Sequence, residues 1–199
     1  MTQKWQRLQR GKVCNMNYHN ITKDDMLNGS GLRVVLWLSG CDHHCKNCQN
    51  PQTWDCNGGI EFDLAAKEEI FEQLNEDYIS GITFSGGDPL HKKNLHEVLL
   101  LCNEIRNKFP TKTIWLYTGY TWEDIWSDSN IIVDDITLQA HEDYQKRQLI
   151  ILSCDVLIDG RFIQELADVN YHWAGSTNQR VIDVQKTFEK GEIVLWDTF

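Results

Sequence analysis

Arg33-Val34-Val35-Leu36-Trp37-Leu38 runs directly into Ser39-Gly40-Cys41-Asp42-His43-His44-Cys45-Lys46-Asn47-Cys48-Gln49. The first half is rich in β-branched and large apolar residues and follows the turn signal Asn28-Gly29-Ser30-Gly31, so it reads as a buried strand. The second half places Cys41, Cys45 and Cys48 in one short loop at the strand's C-terminal end. Thiolates are soft ligands that suit iron–sulfur clusters, zinc and copper, so ligand type alone does not choose the metal. A four-iron cubane held by three cysteines keeps one iron without a protein ligand, free to bind a small molecule. The competing reading is zinc held by the three cysteines with His43 or His44. Against it, paired Cys-x-x-Cys knuckles are absent and both histidines lie inside the tight loop.

Working outward, Asp63 is an N-cap, and Leu64, Ile70, Phe71 and Leu74 recur at near-helical spacing, predicting a helix to about Tyr78. Gly81 to Phe84 is a short strand ending at Ser85-Gly86-Gly87-Asp88-Pro89. A second helix is expected from about Lys93 to Phe109, with Leu95, Val98, Leu99, Cys102 and Ile105 inward and Pro110 as its stop. Thr113 to Tyr117 is the next strand, a helical region follows Thr121, and Val156 to Ile158 and Val181 to Val184 complete the set. Strands separated by helical stretches predict an α/β fold with parallel βα units. The cysteine loop, Gly86 to Pro89, Thr118-Gly119 and Asp159-Gly160 all fall at strand C-terminal ends, where such folds build sites.

The 199 residues predict one main domain, and a chain of this length buries roughly 70% of the surface its unfolded form exposes. With 41% hydrophobic and 24% charged residues, neither disorder nor a fibrous class is favoured. The longest apolar runs are too short to span a bilayer, so a soluble, membrane-free protein is expected. A formal charge of −10 argues against nucleic acid as a partner. Seven cysteines, an odd number with no secretory signal, predict a reducing, cytoplasmic setting rather than a disulfide framework. Residues 1–15 and 185–199 read as extensions of a main unit spanning 16–184; the first carries Lys4, Arg7, Arg10 and Lys12 without an acid.

Cys-x-x-x-Cys-x-x-Cys is the signature of the radical S-adenosylmethionine superfamily, which this sequence resembles. It is more closely similar to the activating enzymes of anaerobic ribonucleoside-triphosphate reductases. The shared features run from Met16-Asn17-Tyr18-His19, through Asn28, Gly29, Gly31 and Arg33, to Ser39-Gly40-Cys41 and the next two cysteines. They continue with Thr53-Trp54, Ser85 to Leu90, Thr118 to Tyr120, Asp159-Gly160 with Phe162, and Trp173 to Gln179. The resemblance implies an incomplete βα barrel, open on one side, on which Cys41, Cys45 and Cys48 hold a [4Fe–4S] cluster. It implies reductive cleavage of S-adenosylmethionine to a 5′-deoxyadenosyl radical, which takes hydrogen from a glycine of the reductase and leaves a glycyl radical. A low-potential donor such as flavodoxin is implied too. Gly86, Gly87 and Asp88 match the segment that meets the methionine moiety. Asn47, Cys48 and Gln49 match the adenosyl contacts, with Asn47 where many members carry an aromatic residue.

Other residues carry plainer alternatives. Asn28 to Gly31 reads as a turn, and Asp159 as a solvated or turn-capping acid. Ser176, Asn178 and Gln179 either line the mouth or form a polar turn. Cys14, Cys56, Cys102 and Cys154 have no metal spacing of their own. Cys102 reads as core, and Cys56 is near enough in sequence to serve as a fourth ligand. Trp37 and Trp54 are read as packing or as a shield for the cluster. Competing functions are an activase of another glycyl-radical enzyme of the pyruvate formate-lyase type, a small-molecule radical enzyme such as a deazapurine synthase, and a noncatalytic zinc or iron–sulfur module.

Overall fold

In a computed structural model, which describes residues 16–126 and 135–197, β2 (Leu32–Leu38) is the strand around which the rest is laid. Val34, Val35, Leu36 and Leu38 are fully buried, as a strand covered on both faces must be. Parallel to it run β4 (Ile79–Gly86), β5 (Thr113–Tyr117) and β6 (Val156–Asp159), each hydrogen-bonded to the one before. Antiparallel strands finish both edges: β1 (Asn17–Asp25) on β2, the two-residue β3 (Ile60–Glu61) on β1, and β7 (Arg180–Asp183) on β6. The order is β3-β1-β2-β4-β5-β6-β7, and the sheet is open.

Register fixes what each face carries. Ile21, Leu36, Phe84, Leu116, Leu157 and Ile182 stand opposite one another across six strands. Against this face pack α1 (Leu64–Leu74), α2 (Leu95–Lys108), α3 (Trp122–Trp126), α4 (Asp135–Leu152) and α5 (Val184–Lys190), each contributing buried side chains to one core. Each large apolar side chain so buried is worth about 1.5–3 kcal/mol. The opposite face holds a smaller cluster of Trp115, Val156, Ile158 and Val181, covered by Trp173 and Trp196 rather than by a helix. Among the described residues no helix is long and apolar enough to cross a membrane.

The predicted elements are present with shifted ends. Asp63 caps α1 by accepting from the Ala66 N–H, but the helix stops at Leu74 rather than near Tyr78, because the chain turns at Asn75 to enter β4. The last strand ends at Asp183, whose side chain accepts from the Lys186 N–H and starts α5 at Val184. After α5, residues 194–196 run along the edge strand β7: Leu195 bridges Ile182, and Trp196 packs edge-on to Trp115. Residues 1–15, with Cys14, lie outside the described residues.

Arg33 projects from β2 and is completely buried. Its guanidinium donates to Thr83 Oγ1 at 2.8 Å, Ile82 O at 2.7 Å, Thr113 O at 3.0 Å, Thr113 Oγ1 at 2.9 Å and Ser30 O at 3.0 Å. It also lies over the Trp115 ring, 5.2 Å from the centroid. Among the described residues no carboxylate forms an ion pair with it, and burial pulls its pKa down to about 10. The side chain thus ties β2 to β4, β5 and the preceding turn by hydrogen bonds. Arg33→Ala leaves buried oxygens without donors and is expected to lower the unfolding free energy by roughly 3–5 kcal/mol. Urea unfolding monitored by far-UV circular dichroism checks this; a loss below about 1 kcal/mol, the range of ordinary surface changes, would show the network to be dispensable.

Candidate metal centre

Beyond Leu38 the chain leaves the carboxyl edge of the sheet and is pinned before it reaches the first cysteine. The Ser39 N–H donates to Asn17 O at 2.9 Å, Gly40 N–H to Thr53 O at 2.7 Å and Cys41 N–H to Trp54 O at 3.1 Å. The loop from Cys41 to Gln49 then wraps without regular structure, and it uses left-handed backbone at His44 (φ 48°) and Asn47 (φ 55°). Asparagine tolerates that conformation better than a bulky aromatic residue, which gives a local reason for Asn47.

Cys41, Cys45 and Cys48 line one cavity of about 210 Å³. Opposite them are the ends of the parallel strands: Ser85 to Asp88 after β4, Tyr117 to Gly119 after β5, and Gly160 after β6. Phe162, Gly175 and Gln179 close the far side. Burial pushes the Cys41 thiol up to about 11, partly offset by the backbone N–H groups of His43 and His44. Burial raises Cys45 as well, partly offset by the Phe162 N–H. Cys48 Sγ accepts from the Asn50 N–H at 3.3 Å. Each sulfur therefore meets a backbone donor, which stabilises a thiolate, while burial favours the protonated thiol at Cys41 and Cys45 until a cation replaces the proton.

The residues expected to meet the methionine moiety divide in two. Gly86 and Gly87 line the cavity with bare backbone; a Cβ on Gly86 would lie 2.8 Å from Leu38 N, and one on Gly87 2.6 Å from Gly40 O. Only glycine permits this approach of β4 to the root of the cysteine loop. The Asp88 carboxylate, by contrast, is buried and fully engaged. It accepts from the Leu90 N–H at 2.8 Å, from Thr118 Oγ1 at 2.9 Å and from the Gly119 N–H at 3.0 Å, and it hydrogen-bonds His43 Nε2 at 2.7 Å. Its own N–H donates to Gly40 O at 2.7 Å.

His43, read from sequence only as an alternative zinc ligand, is committed to that carboxylate. Its ring lies so close to Gly119 that a Cβ there would sit 2.4 Å away, and it meets Tyr120 edge-on at 4.8 Å. Tyr120 is covered in turn by the Arg147 guanidinium at 4.8 Å. His44 turns away from the cavity to pack on Trp54 at 4.8 Å. Among the described residues, no three His, Cys, Asp or Glu side chains converge on a single-ion position. The three thiols instead stand around a space, and with a backbone donor at each sulfur they fit an iron–sulfur cluster.

The remaining candidates fall around this centre. Gln49 borders the cavity and Asn47 the groove beside it. Asp159 is buried and accepts from the Trp122 N–H at 2.7 Å and from Arg180, which also binds Glu123 and holds that carboxyl down to about 2. Gln179 accepts from the Gly175 N–H at 2.9 Å and donates to Gly160 O at 2.9 Å, while Asn178 donates to Arg161 O at 2.8 Å. Ser176 accepts from the Ile163 N–H at 3.2 Å. Cys56 sits behind Gly40 beside His91 and does not border the cavity; Cys102 and Cys154 are buried in the helix-side core. Trp37 borders the cavity and donates to Thr22 Oγ1 at 2.7 Å. Phe162 and Gly175, which close the cavity, fall among the features of the resemblance but carry no ligand chemistry of their own.

Comparison with known proteins agrees with this geometry. Residues 27–182 match the family described as "4Fe-4S single cluster domain". The anaerobic ribonucleoside-triphosphate reductase-activating protein of Escherichia coli K12 is 39% identical over 168 residues, covering 83% of this chain and 97% of that protein. The protein of the same name from Vibrio cholerae is 39% identical over 166 residues, 82% and 96% of the two chains. That of Enterobacteria phage T4 is 38% identical over 167 residues, 83% and 93%. With this identity over nearly the whole length of each relative, the chain belongs to the family of anaerobic ribonucleoside-triphosphate reductase-activating proteins.

Proposed function

We propose that this chain activates an anaerobic ribonucleoside-triphosphate reductase by cleaving S-adenosylmethionine reductively at a [4Fe–4S] cluster held by Cys41, Cys45 and Cys48. The observation that carries the reading is the meeting of three thiols and the glycine-rich ends of parallel strands around one cavity. Held by Cys41, Cys45 and Cys48, the cluster would supply the electron for reductive cleavage of S-adenosylmethionine, the chemistry that would end in a glycyl radical on the reductase. The open sheet, with helices on one face and strand ends converging on the cysteine loop, is read as an incomplete βα barrel of the radical S-adenosylmethionine type.

The chain's own residues bind, orient and exclude. Gly86 and Gly87 present bare backbone to the cavity, with oxygens able to accept from the amino group of the methionine moiety. Asp88 acts as a positioning residue, because its carboxylate is spent on holding the cysteine loop to β4 and β5. Asn47 and Gln49 offer side-chain amides at the mouth for the adenosyl part. Water exclusion falls to the partner, since the cavity is open on one side. A low-potential donor of the flavodoxin kind would supply electrons in the cytoplasm.

Anaerobic reconstitution, dithionite reduction and detection of 5′-deoxyadenosine test the reading. Wild type is expected to release it, and Cys41→Ala, Cys45→Ala and Cys48→Ala are each expected to release none. A zinc-loaded protein, or a cluster without cleavage, would contradict the proposal. Cys56→Ala is expected to keep both cluster and cleavage; loss of both would make Cys56 a ligand.

Asp88→Asn keeps the shape of the side chain but puts one oxygen and one amide donor where four donor groups now meet two acceptor oxygens. Cluster retention, read as iron bound after gel filtration against a chelator series, is expected to weaken by about 10- to 100-fold, the usual effect of changing a group that orients metal ligands. Retention equal to wild type would show that the cysteine loop holds its shape without Asp88.

A further inference from the structure

Two aromatic side chains that the proposed chemistry leaves unused, His44 and Trp54, stand on the outer side of the cysteine loop, and neither borders the cavity. His44 is exposed and holds left-handed backbone, φ 48°, which a residue with a Cβ adopts only at a cost. In that conformation its N–H meets the Cys41 sulfur. Its ring turns outward and stands edge-on to Trp54, with 4.8 Å between centroids.

Trp54 is fixed to the first cysteine as well. Its carbonyl accepts from the Cys41 N–H at 3.1 Å, next to Thr53 O, which accepts from the Gly40 N–H at 2.7 Å. Its indole Nε1 is buried and makes no hydrogen bond within the described residues. A buried tryptophan N–H usually finds a partner, and one left without calls for a functional reason. An exposed imidazole, a half-buried indole and the Cys41 backbone thus form a continuous contact from solvent to the first thiol. The charges around it are met within the chain: Asp42 by His91 at 3.3 Å, Lys46 by Glu165 at 3.0 Å and Asp55 by the Asn57 N–H at 2.9 Å. A protein can approach this face without meeting a block of unpaired charge.

Electrons need a route that stays open while the mouth is occupied. The cofactor takes the cavity, and the reductase covers the open side to exclude water. We infer that the His44–Trp54 pair is the electron entry of this chain: a low-potential flavin carrier protein docks on the outer face of the cysteine loop, its cofactor against His44, while the reductase holds the mouth. The inference rests on the function proposed above. The step is a one-electron transfer, with the carrier oxidised by one electron and the cluster reduced by one, and no bond is made or broken. The two rings are the path and undergo no net change.

The test uses the full-length, anaerobically reconstituted protein, flavodoxin as the carrier and the full-length cognate reductase. His44→Asn removes the ring and keeps a residue that tolerates left-handed backbone; Trp54→Leu removes the indole, and Trp54→Phe restores an aromatic ring. Bleaching of the cluster absorbance is timed with reduced flavodoxin and, separately, with dithionite. Each variant is judged by the ratio of the two rates, so that damage common to both cancels. The ratio is expected to fall at least about tenfold in His44→Asn and Trp54→Leu and to return to within about threefold of wild type in Trp54→Phe. Oxidised flavodoxin is expected to slow amide hydrogen exchange in residues 42–55 of wild type, and saturating reductase is expected to leave the flavodoxin rate within about twofold. A ratio in His44→Asn within about twofold of wild type would overturn the entry. So would protection confined to the cavity mouth, or a flavodoxin rate abolished by bound reductase. If wild type is reduced but forms no 5′-deoxyadenosine, the proposed chemistry fails, while the rate ratio still decides where electrons enter.

Discussion

The buried carboxylate of Asp88 is the constraint on which the arrangement of this molecule depends. Removing a carboxylate from water is costly unless every oxygen is satisfied, and here the donors come from elsewhere in the chain: Leu90, Thr118, Gly119 and His43. Satisfying that one group draws the turn after β4, the end of β5 and the middle of the cysteine loop into fixed relation. Gly40 is joined to the same point through the Asp88 N–H, and Asn94 donates to both Ser39 O and Asp88 O at 2.9 Å. The cysteine loop, which has no regular structure of its own, thereby takes its shape from the sheet.

The two faces of the sheet divide the work. The helix side supplies most of the apolar burial, with side chains from five helices on one row of strand residues. The other side is tied by directional contacts: the Arg33 fan of hydrogen bonds and the edge-on tryptophans 115, 173 and 196. A face built this way leaves space at the carboxyl edge instead of filling it, and the cavity and groove occupy that space. Arg180, clamped between Asp159 and Glu123, holds the start of β7 against the end of β6 and the start of α3 on the same rim.

Much of this was legible in the residues. β2, β5 and β6 announced themselves as short, β-branched, apolar runs, and Thr113–Tyr117 has the predicted ends. β1 did not, because Asn17–Asp25 is a polar strand near the edge, without alternation, whose pairing with β2 is decided by tertiary contact. The three cysteines were legible from spacing, and the glycines after β4 from their place at a strand end. The destination of the Asp88 carboxylate was not, since it is set by His43 and Thr118, 45 and 30 residues away in sequence. For the same reason nothing local in the sequence assigns His43 to Asp88 rather than to a metal.

The proposed chemistry requires that three cysteines leave a metal cluster incompletely ligated, so that a small molecule can bind iron directly. Electron paramagnetic resonance of the reduced, reconstituted protein, recorded before and after adding S-adenosylmethionine, tests this most directly. A [4Fe–4S] signal whose shape changes on addition is expected, as the cofactor takes the open iron. A signal indifferent to S-adenosylmethionine, or a protein that binds zinc and gives no such signal, would contradict it.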